Sequence, residues 1–334
     1  MPRSSFVNLS IGLLLLLGAN AVNAQRSYCA EDPFANPSED RCNPLRYIPV
    51  IWGAITALVL YFIVAILLTV QFFRYGGKYF LCLVIGCYCY GIGLCMRIPF
   101  RSDPHNTTIY IVQYLFIVLS PCAFLAGDYI LLGRIVSHLS GDRHLRPVRP
   151  NKVTLFFVLS DVATFLIQAA GGGLSISQKP AMRDAGQKIF LAGICLQLAS
   201  FAFFTCLWAL FGIRAYKRDP ELWGMAWWKP LYWALGFTCA MFLIRSVFRA
   251  VELSEGYTGY LATHEIYIYL LDTLPLFLGV TTYIYFWPAR YLRADTKVIK
   301  DEQDMSSVDH AATPIPDLTQ TGERPVEAVQ EVKK

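Results

Sequence analysis

Seven long apolar runs alternate with short polar stretches along the chain. They cover residues 47–73, 79–96, 109–133, 153–170, 189–213, 230–251 and 266–288. The first contains no Asp, Glu, Lys or Arg. A helix needs roughly 20 mainly apolar residues to cross the hydrocarbon core, and runs of this length predict an all-α polytopic membrane protein with seven transmembrane helices. An odd number of spans puts the two ends of the domain, residues 47–289, on opposite sides.

The first stretch has a different character. Residues 1–24 combine one arginine, a short apolar core at 11–17 and small residues at Val22 and Ala24. That is a signal-peptide pattern with cleavage after Ala24; the apolar core is too short for an eighth span. Residues 25–46 then form a polar extracytoplasmic segment. Cys29 and Cys42 lie in it, and a disulfide between them suits an oxidising compartment. The other eight cysteines sit in apolar runs; Cys82, Cys87, Cys89 and Cys95 crowd the second, where small buried apolar residues fit better than a metal or haem site. Residues 290–334 are polar and read as a disordered cytosolic tail.

Composition agrees with the pattern. Charged residues make up 16% of the 334 and apolar ones 55%, against about a quarter charged in soluble domains. Lys and Arg crowd the loops after the first, third and fifth runs and the tail: Arg134, Arg143, Arg146, Arg149 and Lys152 share one loop. Positive loops stay in the cytosol, so the N-terminus is expected outside and the C-terminus inside. The sequon at Asn106 falls in a loop that this orientation places outside, where it would accept a glycan.

Ionisable groups inside the runs carry the candidate chemistry. They are Asp128, Asp161, Arg245, Arg249, Glu252 and Asp272, with Gln168 among them and Glu265 at the edge of the last run. A charge at the bilayer centre costs roughly 2.5–3.5 kcal/mol on the insertion scale, so such groups pair or face a cavity. Arg245, Arg249 and Glu252 follow i, i+4, i+7 and share one helix face. Arg245 and Asp272 lie at matching depths, each about 10–12 Å from the outer end at 1.5 Å per residue. Glu252 and Asp272 are the expected partners of the two arginines, with Glu265 as a third.

Two readings of the cluster stand. It locks the last two spans together, or it joins Gln168, Asp161 and Asp128 in a polar ladder along which a lipid head group moves, its carboxylates suiting a cationic amine. Pro275 frees a carbonyl in the last span, and Gly171, Gly172 and Gly173 are expected to end the fourth, serving a tight exit turn, the commoner use, or a close helix approach.

These blocks resemble the fungal lipid-translocating exporter family, whose members are linked to aminocholesterol resistance, sphingoid long-chain base release and porphyrin uptake. The likeness covers roughly residues 47–289. Its strongest block runs from Ile244 to Pro275 and holds Arg245, Arg249, Glu252, Gly256, Glu265 and Asp272 at the family's signature positions. Pro121, Ala126, Tyr129, Gly133 and Arg134 fit the third-span pattern, and Asp161, Gln168, Gly171 and Gly172 the fourth. The chain departs from the family in its second span, which keeps Gly93 and Arg97 but has Tyr90 where a glutamate is usual and Leu94 where a tyrosine is usual. It also has Trp287-Pro288-Ala289 in place of His-Pro-Gly.

The resemblance implies export or flipping of an amphiphile, such as a sphingoid long-chain base or sterol-like compound, with resistance as the outcome. The plasma membrane is the expected location, with the vacuole or another endomembrane as the alternative. Partners are membrane lipids or amphiphilic small molecules rather than nucleic acid. No cofactor is expected, and the oligomeric state stays open.

Other classes fit less well. A seven-helix lipid- or stress-sensing receptor shares the topology, but the third span lacks an acidic-Arg-Tyr triplet and the seventh has Asp-x-x-Pro. A retinal protein needs a lysine in the last span, and 266–288 has none. A membrane hydrolase needs histidine ligands within the spans, whereas His105, His138, His144, His264 and His310 fall in loops or the tail. A phosphate loop for ATP is absent from the sequence. An enzyme is therefore not expected.

Overall fold

A computed structural model describes residues 47–139, 150–175, 180–256 and 259–292, together with Asp32, Phe34, Pro37, Asp40, Asn43 and Leu45. The expected signal peptide, the Cys29–Cys42 pair, His144, His310 and the tail beyond Leu292 lie outside the described residues.

Among the described residues, seven helices are long and apolar enough to cross a membrane: α1 (Ile51–Tyr75), α2 (Lys78–Ser102), α3 (Thr107–His138), α4 (Pro150–Ser175), α5 (Pro180–Arg218), α6 (Lys229–Ser254) and α7 (Glu265–Leu292). No strand occurs among the described residues.

Their ends depart from the apolar runs for identifiable reasons. Tyr47 precedes α1 rather than opening it, because Pro49 restricts the backbone before it and α1 starts at Ile51. Asn106 caps α3, its Oδ1 accepting from the Ile109 N–H at 3.2 Å. Helix α5 begins at Pro180, well before the apolar run, since proline at a first helical position loses no intrahelical bond.

Gly171, Gly172 and Gly173 do not end the fourth span, contrary to the expected exit turn. The helix continues to Ser175. At Gly171 the reason is close approach: a Cβ there would sit 2.5 Å from the Phe190 amide nitrogen of α5. Small residues let membrane helices meet backbone to backbone.

Consecutive helices pack as neighbours, α7 returns against α1, and α3 also touches α6. The α1–α7 seam is held by polar bonds to backbone carbonyls. Tyr61 donates to Thr273 O (3.0 Å), Gln71 to Ile284 O (3.0 Å) and Trp287 Nε1 to Gly76 O (3.1 Å). The core of this bundle is aromatic, with Tyr61, Tyr90, Phe124, Tyr129, Phe157, Phe201, Phe204 and Tyr283 fully buried. Its outer surface is lined by exposed Ile, Leu, Val and Phe along α1, α4 and α6, as a lipid-facing surface requires.

Helix α7 is irregular where it matters. Residues Ile268–Thr273 adopt π geometry directly before the regular turn Leu274–Tyr285. Pro275 lacks the N–H that a tight α-turn here would use, and the wider turn relieves that deficit. Asp272 sits in this segment.

Candidate functional site

Helices α2 to α7 enclose a cavity of about 120 Å³ near the C-terminal end of α6 and the N-terminal end of α7. Leu45 and Tyr47 reach it from the segment before α1, and Ala262 from the short helix Tyr260–Thr263. Gly256, at φ 81°, turns the chain after α6 in a left-handed conformation that favours glycine, and it lines the same space.

The charged wall follows from the i, i+4, i+7 spacing on α6. Arg249 holds Asp272 through two hydrogen bonds, Nε to Oδ1 at 2.8 Å and Nη2 to Oδ2 at 2.7 Å. This forked geometry is the strongest way for arginine to hold a carboxylate. Its Nη1 donates to Glu252 Oε2 at 3.1 Å. Arg245 Nε lies 2.9 Å from Asp272 Oδ1, yet its N–H is not aimed at that oxygen, so the pair is charge–charge contact without a directed bond. Asp272 is 0% exposed. Two cations around one buried carboxylate leave it fully compensated.

Glu265 stands apart from this cluster, against expectation. It pairs with Arg97 of α2 at 3.3 Å, accepts from Tyr269 Oη at 2.9 Å and takes the Val50 N–H at 2.7 Å. Arg97 also donates to the Tyr47 hydroxyl and lies near the rings of Tyr47 and Tyr269. Burial pushes the Tyr47 phenol above its usual value, with the Arg97 charge pulling the other way. Together Glu265, Arg97 and Tyr47 tie the start of α1 and the start of α7 to α2. Arg101 adds a bond to the Pro49 carbonyl at 2.7 Å.

Tyr90 fills the position where the resembling family usually carries a glutamate. Its hydroxyl bonds Thr273 Oγ1 at 3.0 Å and reaches Asp272 Oδ2 at 3.5 Å. Gln168 lines the cavity and donates to Gln197 Oε1 of α5 at 2.8 Å. Gln113 of α3 also lines it, with a buried Oε1 that has no partner. Gln113, Gln197 and the role of Tyr90 were not anticipated from the sequence; a census of amides within apolar runs would have found the two glutamines.

Asp128 and Asp161 are not among the residues that line this cavity. Asp128 accepts from Tyr283 Oη at 2.5 Å and Thr238 Oγ1 at 3.0 Å. Asp161 accepts from Tyr129 Oη at 2.9 Å, and its Oδ1 has no partner. Neither forms an ion pair among the described residues. The seven ionisable residues and Gln168 thus divide into three places: a cavity wall, an α2–α7 clasp beside it and a packed aromatic region.

The family described as RTA1 like protein matches residues 83–295, more than half of the chain. The chain is 34% identical to Protein RTA1 of Saccharomyces cerevisiae, over 61% of this chain and 64% of that one. It is 30% identical to Protoporphyrin uptake protein 1 of the same yeast, over 59% and 65%. It is 24% identical to the yeast Sphingoid long-chain base transporter RSB1, over 59% and 60%. The matched part therefore spans a little under two thirds of these relatives. No solved structure matches the chain.

Proposed function

Because the chain belongs to the RTA1-like family, we propose that it moves an amphiphilic, lipid-like molecule across its membrane and so confers resistance to that molecule. Sphingoid long-chain bases and sterol-like compounds are the first cargoes to test. One observation carries the reading: a largely apolar cavity with a charged wall of Arg97, Arg245, Arg249, Glu252 and Asp272 lies within a bundle of membrane-length apolar helices. About 120 Å³ admits a head group, since one water takes roughly 10–15 Å³ of such space, but not a long acyl chain. The tail stays in the bilayer while the head occupies the cavity. Ile117, Val118, Ile194 and Leu198 in the lining give the head group's apolar neck a matching surface.

In this reading the N-terminus is outside, the tail is cytosolic and the cavity lies toward the outer leaflet of the plasma membrane. The segment at 25–46 carries the Cys29–Cys42 disulfide, and Asn106 carries a glycan. The protein performs no covalent chemistry on its cargo.

The test uses cells lacking the gene, given back wild type or Asp272→Asn at matched surface amounts. A labelled sphingoid base and protoporphyrin are loaded in parallel and their movement is followed. Wild type is expected to speed at least one of them severalfold, and Asp272→Asn to return it to the level of the null. Equal movement in null and wild-type cells for both compounds would overturn the reading. If toxicity still changed in that case, a sensing receptor would take its place.

A further inference from the structure

We infer that Arg245 is the head-group receptor of the cavity, and that the head it takes carries an acidic oxygen group, a carboxylate or a phosphate, rather than a bare amine. The inference rests on the cavity being a head-group site; among the compounds tested above it ranks the cationic sphingoid bases behind amphiphiles with an acidic head, such as the carboxylate-bearing protoporphyrin.

An ionised carboxylate offers about four lone-pair sites. Asp272 receives two bonds from Arg249, the contact with Arg245 and the approach of Tyr90. Two cations thus already compensate its single charge. Glu265 has both oxygens engaged, by Arg97 and Tyr269 on one and by the Val50 N–H on the other, and it is not among the lining residues. Glu252 gives Oε2 to Arg249. An incoming ammonium group therefore meets one uncommitted carboxylate oxygen, and that oxygen sits beside the Arg249 cation.

The donors tell the opposite story. Arg249 commits Nε, Nη1 and Nη2 to carboxylates. Arg245 lines the cavity and makes no directed hydrogen bond among the described residues; its buried Nε has only the charge contact with Asp272. Arg97, 3% exposed and also in the lining, has a buried Nε with no acceptor. A guanidinium presents five N–H donors in a fixed fork that matches carboxylate and phosphate oxygens in pairs. A guanidinium held by charge contact, with no directed hydrogen bond among the described residues, is the group that a ligand completes. Gln113, with its unpartnered Oε1, and the Gln168–Gln197 pair flank the space with neutral amides suited to hydroxyls on the same head.

The experiment uses the full-length protein in phosphatidylcholine nanodiscs, with protein-free nanodiscs as the partition control. Four radiolabelled probes share one tail: octadecyl phosphate, stearate, octadecanol and octadecylamine. Octadecyl phosphate and stearate are expected to bind at least about tenfold more tightly than octadecylamine, the factor given by one charge-assisted hydrogen bond. Arg245→Gln is expected to remove that preference and leave octadecanol binding unchanged. The variant keeps both Arg249–Asp272 bonds, and its melting temperature is recorded alongside.

If Arg245→Gln does not fold, Arg245→Lys decides: charge is kept, the fork is lost, and anion binding is expected to fall severalfold with octadecanol unaffected. Octadecylamine binding as tightly as octadecyl phosphate would overturn the inference, as would an Arg245 variant that weakens all four probes alike. Failure of all four probes to bind would overturn the shared premise, and the transport reading's use of the cavity with it. Binding of the amine or alcohol alone would sink only this inference. Millimolar inorganic phosphate displacing octadecyl phosphate would identify the free anion as the ligand; no displacement would identify the lipid head.

Discussion

Asp272 and Asp128 are both aspartates on membrane-spanning helices, and both are 0% exposed. Their surroundings differ in kind. Asp272 stands between two guanidinium groups on the wall of a cavity. Asp128 stands between the hydroxyls of Tyr283 and Thr238, in a region packed with rings; Phe80 and Tyr283 meet edge to face at 4.9 Å. Asp161 repeats the second pattern with Tyr129, whose ring is bordered by Phe157, Phe201 and Phe204. The bundle therefore accommodates buried carboxylates in two ways. Where there is room, it supplies counter-charge. Where there is none, it supplies hydroxyl donors. Breaking the first arrangement strands a charge, and breaking the second strands only neutral hydrogen-bonding groups. The two regions should fail by different amounts and in different assays.

Asp272→Ala is the most severe test of that difference. It leaves Arg245 and Arg249 without their shared counter-ion, and breaking a buried pair on one side costs about 3–5 kcal/mol. Surface amount and detergent melting temperature should both fall steeply. A variant as stable as wild type would mean that the cavity already solvates its arginines, which would erase the contrast with Asp128.

Asp128→Ala comes next, at about 1–3 kcal/mol, the cost of leaving the Tyr283 and Thr238 donors unfilled. Asp128→Asn is the sharper member of the pair because its amide oxygen still accepts. Its melting temperature should lie close to wild type and its cargo movement should be unchanged. Loss of movement in a stable Asp128→Asn protein would show that the carboxylate itself works in the cycle, and the two regions would no longer be distinct in role. Tyr283→Phe removes one of the two donors and should cost less, about 0.5–1.5 kcal/mol, read from the same melting curve.

Much of the bundle was legible in the pattern of apolar runs, because a helix in hydrocarbon must be apolar over its whole length. The pairing of Arg245 and Arg249 with Asp272 was legible for a related reason: periodicity fixes a face, and depth fixes which charges can meet. Glu265 shows where that logic stops. Depth placed it near the α6 cluster, but its partner is Arg97 on α2, and spacing within α6 and α7 holds no information about which neighbour turns a cation toward them. The tyrosines that hold Asp128 and Asp161 were illegible for a different reason. A tyrosine in an apolar run reads as an aromatic ring, and only the fold shows that its hydroxyl has a carboxylate to meet. The glycines at 171–173 misled because glycine serves both turns and close helix contacts, and the choice depends on Phe190 of the next helix.

Tyr90→Phe is the smallest and most discriminating change. Tyr90 is buried and packs at a tilt against Tyr61, with ring centroids 4.4 Å apart, and phenylalanine keeps that ring in place. What is lost is one bond to Thr273 and a long contact to Asp272. Stability should fall by about 0.5–1 kcal/mol, at the low end for a neutral hydrogen bond. Asp272 keeps both Arg249 bonds, so the charged wall should survive, and binding of an acidic head group at Arg245 should stay within about twofold of wild type, a shift well under the 1.4 kcal/mol that tenfold represents. A fall in melting temperature with unchanged binding would make Tyr90 a brace for the π segment of α7. A tenfold change in binding with an unchanged melting temperature would instead make the Tyr90 hydroxyl part of the ligand surface. The contrast between a cavity wall built from charges and a packed region built from hydroxyls would then have to be redrawn to include a hydroxyl on the cavity side.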